Sequence, residues 1–120
     1  SKNDRVLSPG MKYRHYAPQK ECLLVYSEDI TKLVNLVNKY EKDKKVLVVC
    51  KENKTKYFKN RLSMGNTLEE ITHNIFHILR EVDKTNFDLV IIEGVKKEGL
   101  GIAIMNRLIR ACSHNYIEIK

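Results

Sequence analysis

The residues best suited to chemistry gather in one short stretch near the start of the chain, Lys12-Tyr13-Arg14-His15-Tyr16. Cations and aromatics interleave there. In an extended backbone Lys12, Arg14 and Tyr16 face one side while Tyr13 and His15 face the other. Such a strip suits a nucleotide: Arg14 can hold phosphate oxygens in bidentate fashion, Lys12 adds a point charge, and an aromatic ring can stack on a base. The same residues equally suit a tether whose tyrosines pack on their own domain.

A second grouping is Gly94, Gly99 and Gly101, between an apolar strand-like run and a helix-like one, where open α/β sheets place ligands. A helix N-terminus there could hold an anion. However, Gly99-Leu100-Gly101-Ile102-Ala103-Ile104 lacks the third small residue of the dinucleotide fingerprint, and the chain has no Gly-Lys-Ser/Thr, so a tight turn is the favoured reading. In the helix that follows, Leu100, Ala103, Ile104, Leu108 and Ala111 make one stripe and Ile102, Met105 and Ile109 another, with Asn106-Arg107 in the middle. Polar groups in such a place require partners. They can cap a loop or pair with Glu93 or Glu98, or else face a ligand or a second domain. Gly99, Gly101, Asn106 and Arg107 are thus a candidate interface or ligand set. His73 and His77 have zinc-ligand spacing on a helix but fall opposite its apolar stripe without a third ligand, which makes them a solvent-facing pair. Cys22, Cys50 and Cys112 form no C-x-x-C and read as reduced core thiols. No catalytic set and no metal set emerges.

The elements that must position these residues alternate along the chain. Residues 1–20 form a linker arm, with a Pro9-Gly10 turn signal and Pro18 holding Ala17 extended. Residues 21–120 form one α/β domain. Cys22–Tyr26 is a short apolar run, followed by an N-cap at Ser27 and a helix to about Lys42 whose stripe is Ile30, Leu33, Val34, Val37 and Tyr40. Lys45–Cys50 is a buried strand. Lys54 to Leu62 alternates weakly and is read as a short exposed strand. Thr67 and Glu70 make a capping box for a helix ending near Asp83. Phe87–Ile92 is a further buried strand, Gly99 to about Cys112 a third helix, and Tyr116–Ile119 a last strand. Helical crossovers between strands predict a doubly wound sandwich with a mostly parallel sheet, in an order the pattern does not reveal.

Composition narrows the class. A chain of 120 residues, 42% apolar and 31% charged, is a single globular domain with an ordinary core. No apolar run approaches the roughly 18 residues of a membrane span, and the polar start Ser1-Lys2-Asn3-Asp4-Arg5 has no secretory pattern, so a cytoplasmic address is expected. A start at Ser1 rather than Met is read as a piece of something longer. The net charge of +7 sits entirely in the first half, in the arm and in a lysine-rich stretch from Lys42 to Lys59. That excess leaves open a tRNA- or nucleotide-binding module without enzymatic role.

Three segments together are similar to a known family. Ser8-Pro9-Gly10-Met11-Lys12-Tyr13-Arg14-His15-Tyr16-Ala17-Pro18 resembles the interdomain linker of the two-domain threonylcarbamoyl-AMP synthases, whose catalytic half is a YrdC-like domain. Asn74-Ile75-Phe76-His77-Ile78-Leu79-Arg80-Glu81-Val82-Asp83 and Glu98-Gly99-Leu100-Gly101-Ile102-Ala103-Ile104-Met105-Asn106-Arg107-Leu108 resemble two motifs of that family's C-terminal domain. The resemblance implies a Rossmann-like three-layer α/β/α sandwich whose linker lies over the mouth of a catalytic cleft in a preceding domain. It implies an activity for the full-length enzyme, not for this chain: L-threonine, bicarbonate and ATP, with magnesium, form threonylcarbamoyl-AMP for the threonylcarbamoyladenosine of tRNA. By the same resemblance Lys12, Arg14, His15 and Tyr16 approach the nucleotide or intermediate from outside. The implied partner is the YrdC-like domain, with the tRNA-modification machinery reached only indirectly.

Overall fold

The computed structural model describes residues 17–120. Strand β1, Glu21–Ser27, leads into helix α1, Ile30–Tyr40. The cap differs from the Ser27 expected from sequence: Asp29 accepts the Thr31 N–H at 2.9 Å, while Ser27 Oγ accepts the Asp29 N–H and so braces the cap. An ionised carboxylate is the stronger partner for the positive end of a helix, which explains why Asp29 takes the position.

Strand β2, Val46–Cys50, and strand β4, Leu89–Glu93, are buried at every position, as continuous apolar runs in a covered parallel sheet should be. Between β2 and the short strand β3, Arg61–Ser63, lies a 3-10 helix, Glu52–Tyr57. The expected strand over Lys54 to Leu62 is therefore helical turn as far as Tyr57 and strand only at its end, from Arg61. Thr55, Tyr57 and Lys59 alternate with Lys56 and Phe58, but from Glu52 to Asn60 only Phe58 is buried, and one buried side chain does not make the buried face of a strand. Helix α2, Leu68–Val82, carries the capping box: Thr67 Oγ1 accepts the Glu70 N–H and Glu70 Oε1 accepts the Thr67 N–H, both at 3.1 Å. Helix α3, Leu100–Ala111, and strand β5, Tyr116–Ile119, complete the chain.

The strand order is β3-β2-β4-β1-β5, and every pairing is parallel. From β1 the chain steps over β4 to β2 and on to β3. It then reverses, stepping over β2 to β4 and over β1 to β5. Right-handed crossovers must change face when the direction reverses, and the core divides accordingly. Leu33 and Val37 of α1 pack with Val25, Val48 and Ile91 on one side. Helices α2 and α3 pack with Leu24, Val49 and Ile92 on the other. The result is a Rossmann-like three-layer α/β/α sandwich. No helix among the described residues is long and apolar enough to cross a membrane.

Candidate functional site

Among the described residues, the root of the arm is held to the body by Asp83. Asp83, just past the last turn of α2, accepts the backbone N–H of Gln19 at 2.9 Å and of Lys20 at 3.3 Å through Oδ1. An aspartate at a helix C-terminus is opposed by the helix dipole, so its position there calls for donors. The chain entering from the arm supplies two. That mismatch is the signal by which Asp83 could have been picked out in the sequence. Because β1 begins at Glu21, the arm leaves the body at the amino edge of the sheet. Lys12, Arg14, His15 and Tyr16 lie outside the described residues.

Gly99 and Gly101 lie at the opposite edge, about 23 Å away along the seven residues of β1. Gly99 caps α3 with φ 53 and ψ −130, a backbone conformation open to glycine and strained for other residues. Gly101 is needed for a different reason. A Cβ there would stand 2.1 Å from the Lys96 carbonyl oxygen, so the loop after β4 rests directly on the helix backbone. Both glycines thus have structural explanations, conformational at Gly99 and steric at Gly101. Gly94 belongs to the same join: its neighbour Val95 donates its N–H to Met105 Sδ at 3.3 Å.

Helix α3 is less enclosed than its two stripes suggest. Gly101, Ile104, Met105, Leu108 and Ala111 are buried, whereas Ile102 is 50% exposed and Asn106 faces solvent. Arg107 lays its guanidinium 4.4 Å from the ring centroid of Phe76 on α2, so the motif arginine stacks on the motif phenylalanine. Glu93 and Glu98, weighed as its partners, are otherwise engaged. Glu93 accepts from Lys54 Nζ at 3.2 Å and Lys51 N–H at 2.9 Å, and Glu98 pairs with Lys96 at 3.3 Å. On α2, Asn74 Nδ2 donates to the Met64 carbonyl at 3.2 Å and holds the loop that precedes the helix. His73 and His77 are exposed, and His77 lies 3.9 Å from Glu81. The candidate residues therefore fall at three heights of the domain: the arm root at the amino edge, Asn106 and Arg107 midway, and the glycine pair at the carboxyl edge.

Burial and hydrogen bonding set the thiol chemistry. Cys50 is fully buried, and desolvation, reinforced by the Glu93 carboxylate, pushes its thiol up to about 12. Cys112 is pushed well above the usual thiol range by its hydrogen bond with Cys22 and by burial. All three cysteines are free and buried, which is the core role their sequence context predicts. At the carboxyl edge two shallow hollows of about 260 and 240 Å³ share Tyr26, Glu28 and Glu118, with Lys96 and Lys97 bordering the second.

Comparison with known proteins identifies the family. A family model described as threonylcarbamoyl-AMP synthase, C-terminal domain, matches residues 1–113. The chain belongs to that family. Threonylcarbamoyl-AMP synthase of Pyrococcus abyssi is 39% identical over 97% of this chain, which covers 35% of that protein. The enzyme of Schizosaccharomyces pombe is 36% identical over 88% of the chain, covering 29% of its length. The chain thus spans about a third of the length of these relatives. Among solved structures, Pyrococcus abyssi Sua5 complexed with L-threonine superposes with a TM-score of 0.76 at 38% identity, over 94% of this chain and 34% of that one. The C-terminal Sua5 domain from Pyrococcus horikoshii gives 0.65 at 33% identity, over 86% of this chain and all (100%) of its own. The domain therefore corresponds to the C-terminal part of these relatives, and the Rossmann-like sandwich expected from the resemblance is its fold.

Proposed function

We propose that this chain is an accessory module of a threonylcarbamoyl-AMP synthase, with its arm serving as a lid over a catalytic cleft in the YrdC-like domain that precedes it. The observation that carries the reading is the reach of the family match, which starts at residue 1 and so includes the arm as well as the α/β body. The clamp at Asp83 supports it, because a lid works only from a fixed hinge and two N–H donors on one carboxylate provide one. A mixed carbamic anhydride hydrolyses readily. A basic, aromatic strap that excludes water and adds cations near the phosphate protects it.

In this reading L-threonine, bicarbonate and ATP are handled by the preceding domain. Lys12 and Arg14 approach the phosphate, and His15 and Tyr16 cover the nucleotide or the adenylate. Magnesium is assigned to that domain too, with the ATP it accompanies. The role of Gly99, Gly101 and Arg107 is to hold the body that anchors the strap, and Asn106 is left at its surface as a candidate contact for the preceding domain. The test is to join this chain to its own catalytic domain and measure ATP-dependent adenylate formation and the lifetime of the product. An Arg14→Ala fusion should lose about tenfold in rate or release hydrolysed product. Wild-type turnover and product lifetime in that variant would remove the lid.

A further inference from the structure

Strand β2 carries the lysine-rich stretch across the sheet, so Lys42, Lys44 and Lys45 lie at one edge while Lys51, Lys54, Lys56 and Lys59 follow the strand at the other. The second group is the denser: five cations and one acid between Lys51 and Arg61. Two of its members have structural work. Lys54 pairs with Glu93, whose side chain is 7% exposed, and the Lys51 N–H completes that carboxylate. What remains is an exposed cationic run leading into β3, the edge strand of the sheet: Lys56, Lys59 and Arg61, the last with one guanidinium N–H on the Phe58 carbonyl.

Within that strip Tyr57 is 45% exposed, beside Phe58 at 5%. Phe58 is the anchor in the core, whereas the Tyr57 ring stands outside it with Lys56 Nζ 5.5 Å from its centroid. The mount is stiff. Glu52 N–H donates to the Gly65 carbonyl at 3.1 Å, Asn53 N–H to Asn66 Oδ1 at 3.2 Å, and Arg61 Nη1 to the Phe58 carbonyl at 3.0 Å. A preorganised aromatic ring beside cations is the arrangement on which bases stack while flanking phosphates are neutralised, without sequence readout.

We propose that Tyr57, Lys56, Lys59 and Arg61 form a docking platform for single-stranded nucleic acid, Tyr57 stacking on a base and the three cations taking phosphates. The proposal rests on residues 56–61 alone and stands whether or not the arm is a lid. An acidic peptide could use the cations but has no planar base to gain from Tyr57, so dependence on that ring separates the two partners.

The experiment is fluorescence anisotropy of the whole 120-residue chain with labelled ten-nucleotide oligo-U and oligo-dT. Three phosphate contacts on a single strand predict about a 20-fold loss of affinity between 50 and 200 mM salt. Tyr57→Ala should weaken binding about tenfold at every salt concentration. Lys56→Glu with Lys59→Glu should abolish most of it and flatten the salt dependence. All three side chains are exposed, and a thermal melt confirms that each variant is folded. Unchanged affinity in Tyr57→Ala, no binding at 50 mM salt, or loss only in a Lys12→Ala/Arg14→Ala variant would each overturn the proposal. So would equally tight, Tyr57-independent binding of a poly-glutamate peptide.

Discussion

Replacing Gly101 by alanine tests whether the two-glycine turn exists for packing. The added Cβ would meet the Lys96 carbonyl oxygen at 2.1 Å and the Lys96 carbonyl carbon at 3.3 Å. Both are backbone atoms, and the oxygen already accepts the Glu98 N–H at 2.8 Å, so neither can rotate away as a side chain would. Either the loop after β4 or the first turn of α3 must move, and overpacking of this kind costs about 3 kcal/mol. Gly99→Ala is the internal control. Nothing lies within 4 Å of its added Cβ, and the cost is only that of placing alanine at φ 53 and ψ −130, about 1–3 kcal/mol. Urea unfolding followed by far-ultraviolet circular dichroism should show the order wild type, Gly99→Ala, Gly101→Ala at unchanged m. With m of roughly 1.5 kcal/mol/M, the second substitution lowers the midpoint by about 2 M. A Gly101→Ala protein as stable as wild type, or more stable than Gly99→Ala, would refute the packing account and reopen the turn as a ligand site.

Two further outcomes follow from the titrating groups. The backbone N–H bonds of Asn66 and then Thr67 hold the Glu70 carboxyl below its ordinary range. A folded-state value below the unfolded one contributes stability above the unfolded value, and that contribution disappears as pH falls through the folded one. The stability difference between wild type and Glu70→Gln should therefore shrink steadily from pH 7 to pH 3 in urea titrations, and a constant difference would contradict the assignment. With its thiol raised to about 12 and fully buried, Cys50 should resist iodoacetamide at pH 8 in the native protein and react once unfolded; equal labelling rates in the two states would exclude the buried thiol.

Local signals made much of the architecture legible. Thr67 and Glu70 share one turn of chain, so their capping box could be read at sight, and the β-branched runs at Val46–Cys50 and Leu89–Ile92 marked buried strands because covered parallel strands need no polar alternation. The N-cap at Asp29 rather than Ser27 escaped the pattern because two adjacent oxygens compete and only backbone geometry chooses. The segment from Lys54 to Leu62 escaped it because its alternation reflects a single buried side chain, Phe58, instead of a buried face.

By itself the sequence determined the family and, outside Lys54 to Leu62, the element types, since period, caps and motif spacing are properties of contiguous residues. The tertiary structure alone decided the strand order β3-β2-β4-β1-β5 and every relation that depends on it. Asp83 meets Gln19 and Lys20 across more than 60 residues of chain, Arg107 covers Phe76, and Gly101 touches the Lys96 carbonyl. Such contacts are long-range or depend on sub-ångström fit, and they arise only once the reversal at β3 sends α2 and α3 to the face that α1 leaves open.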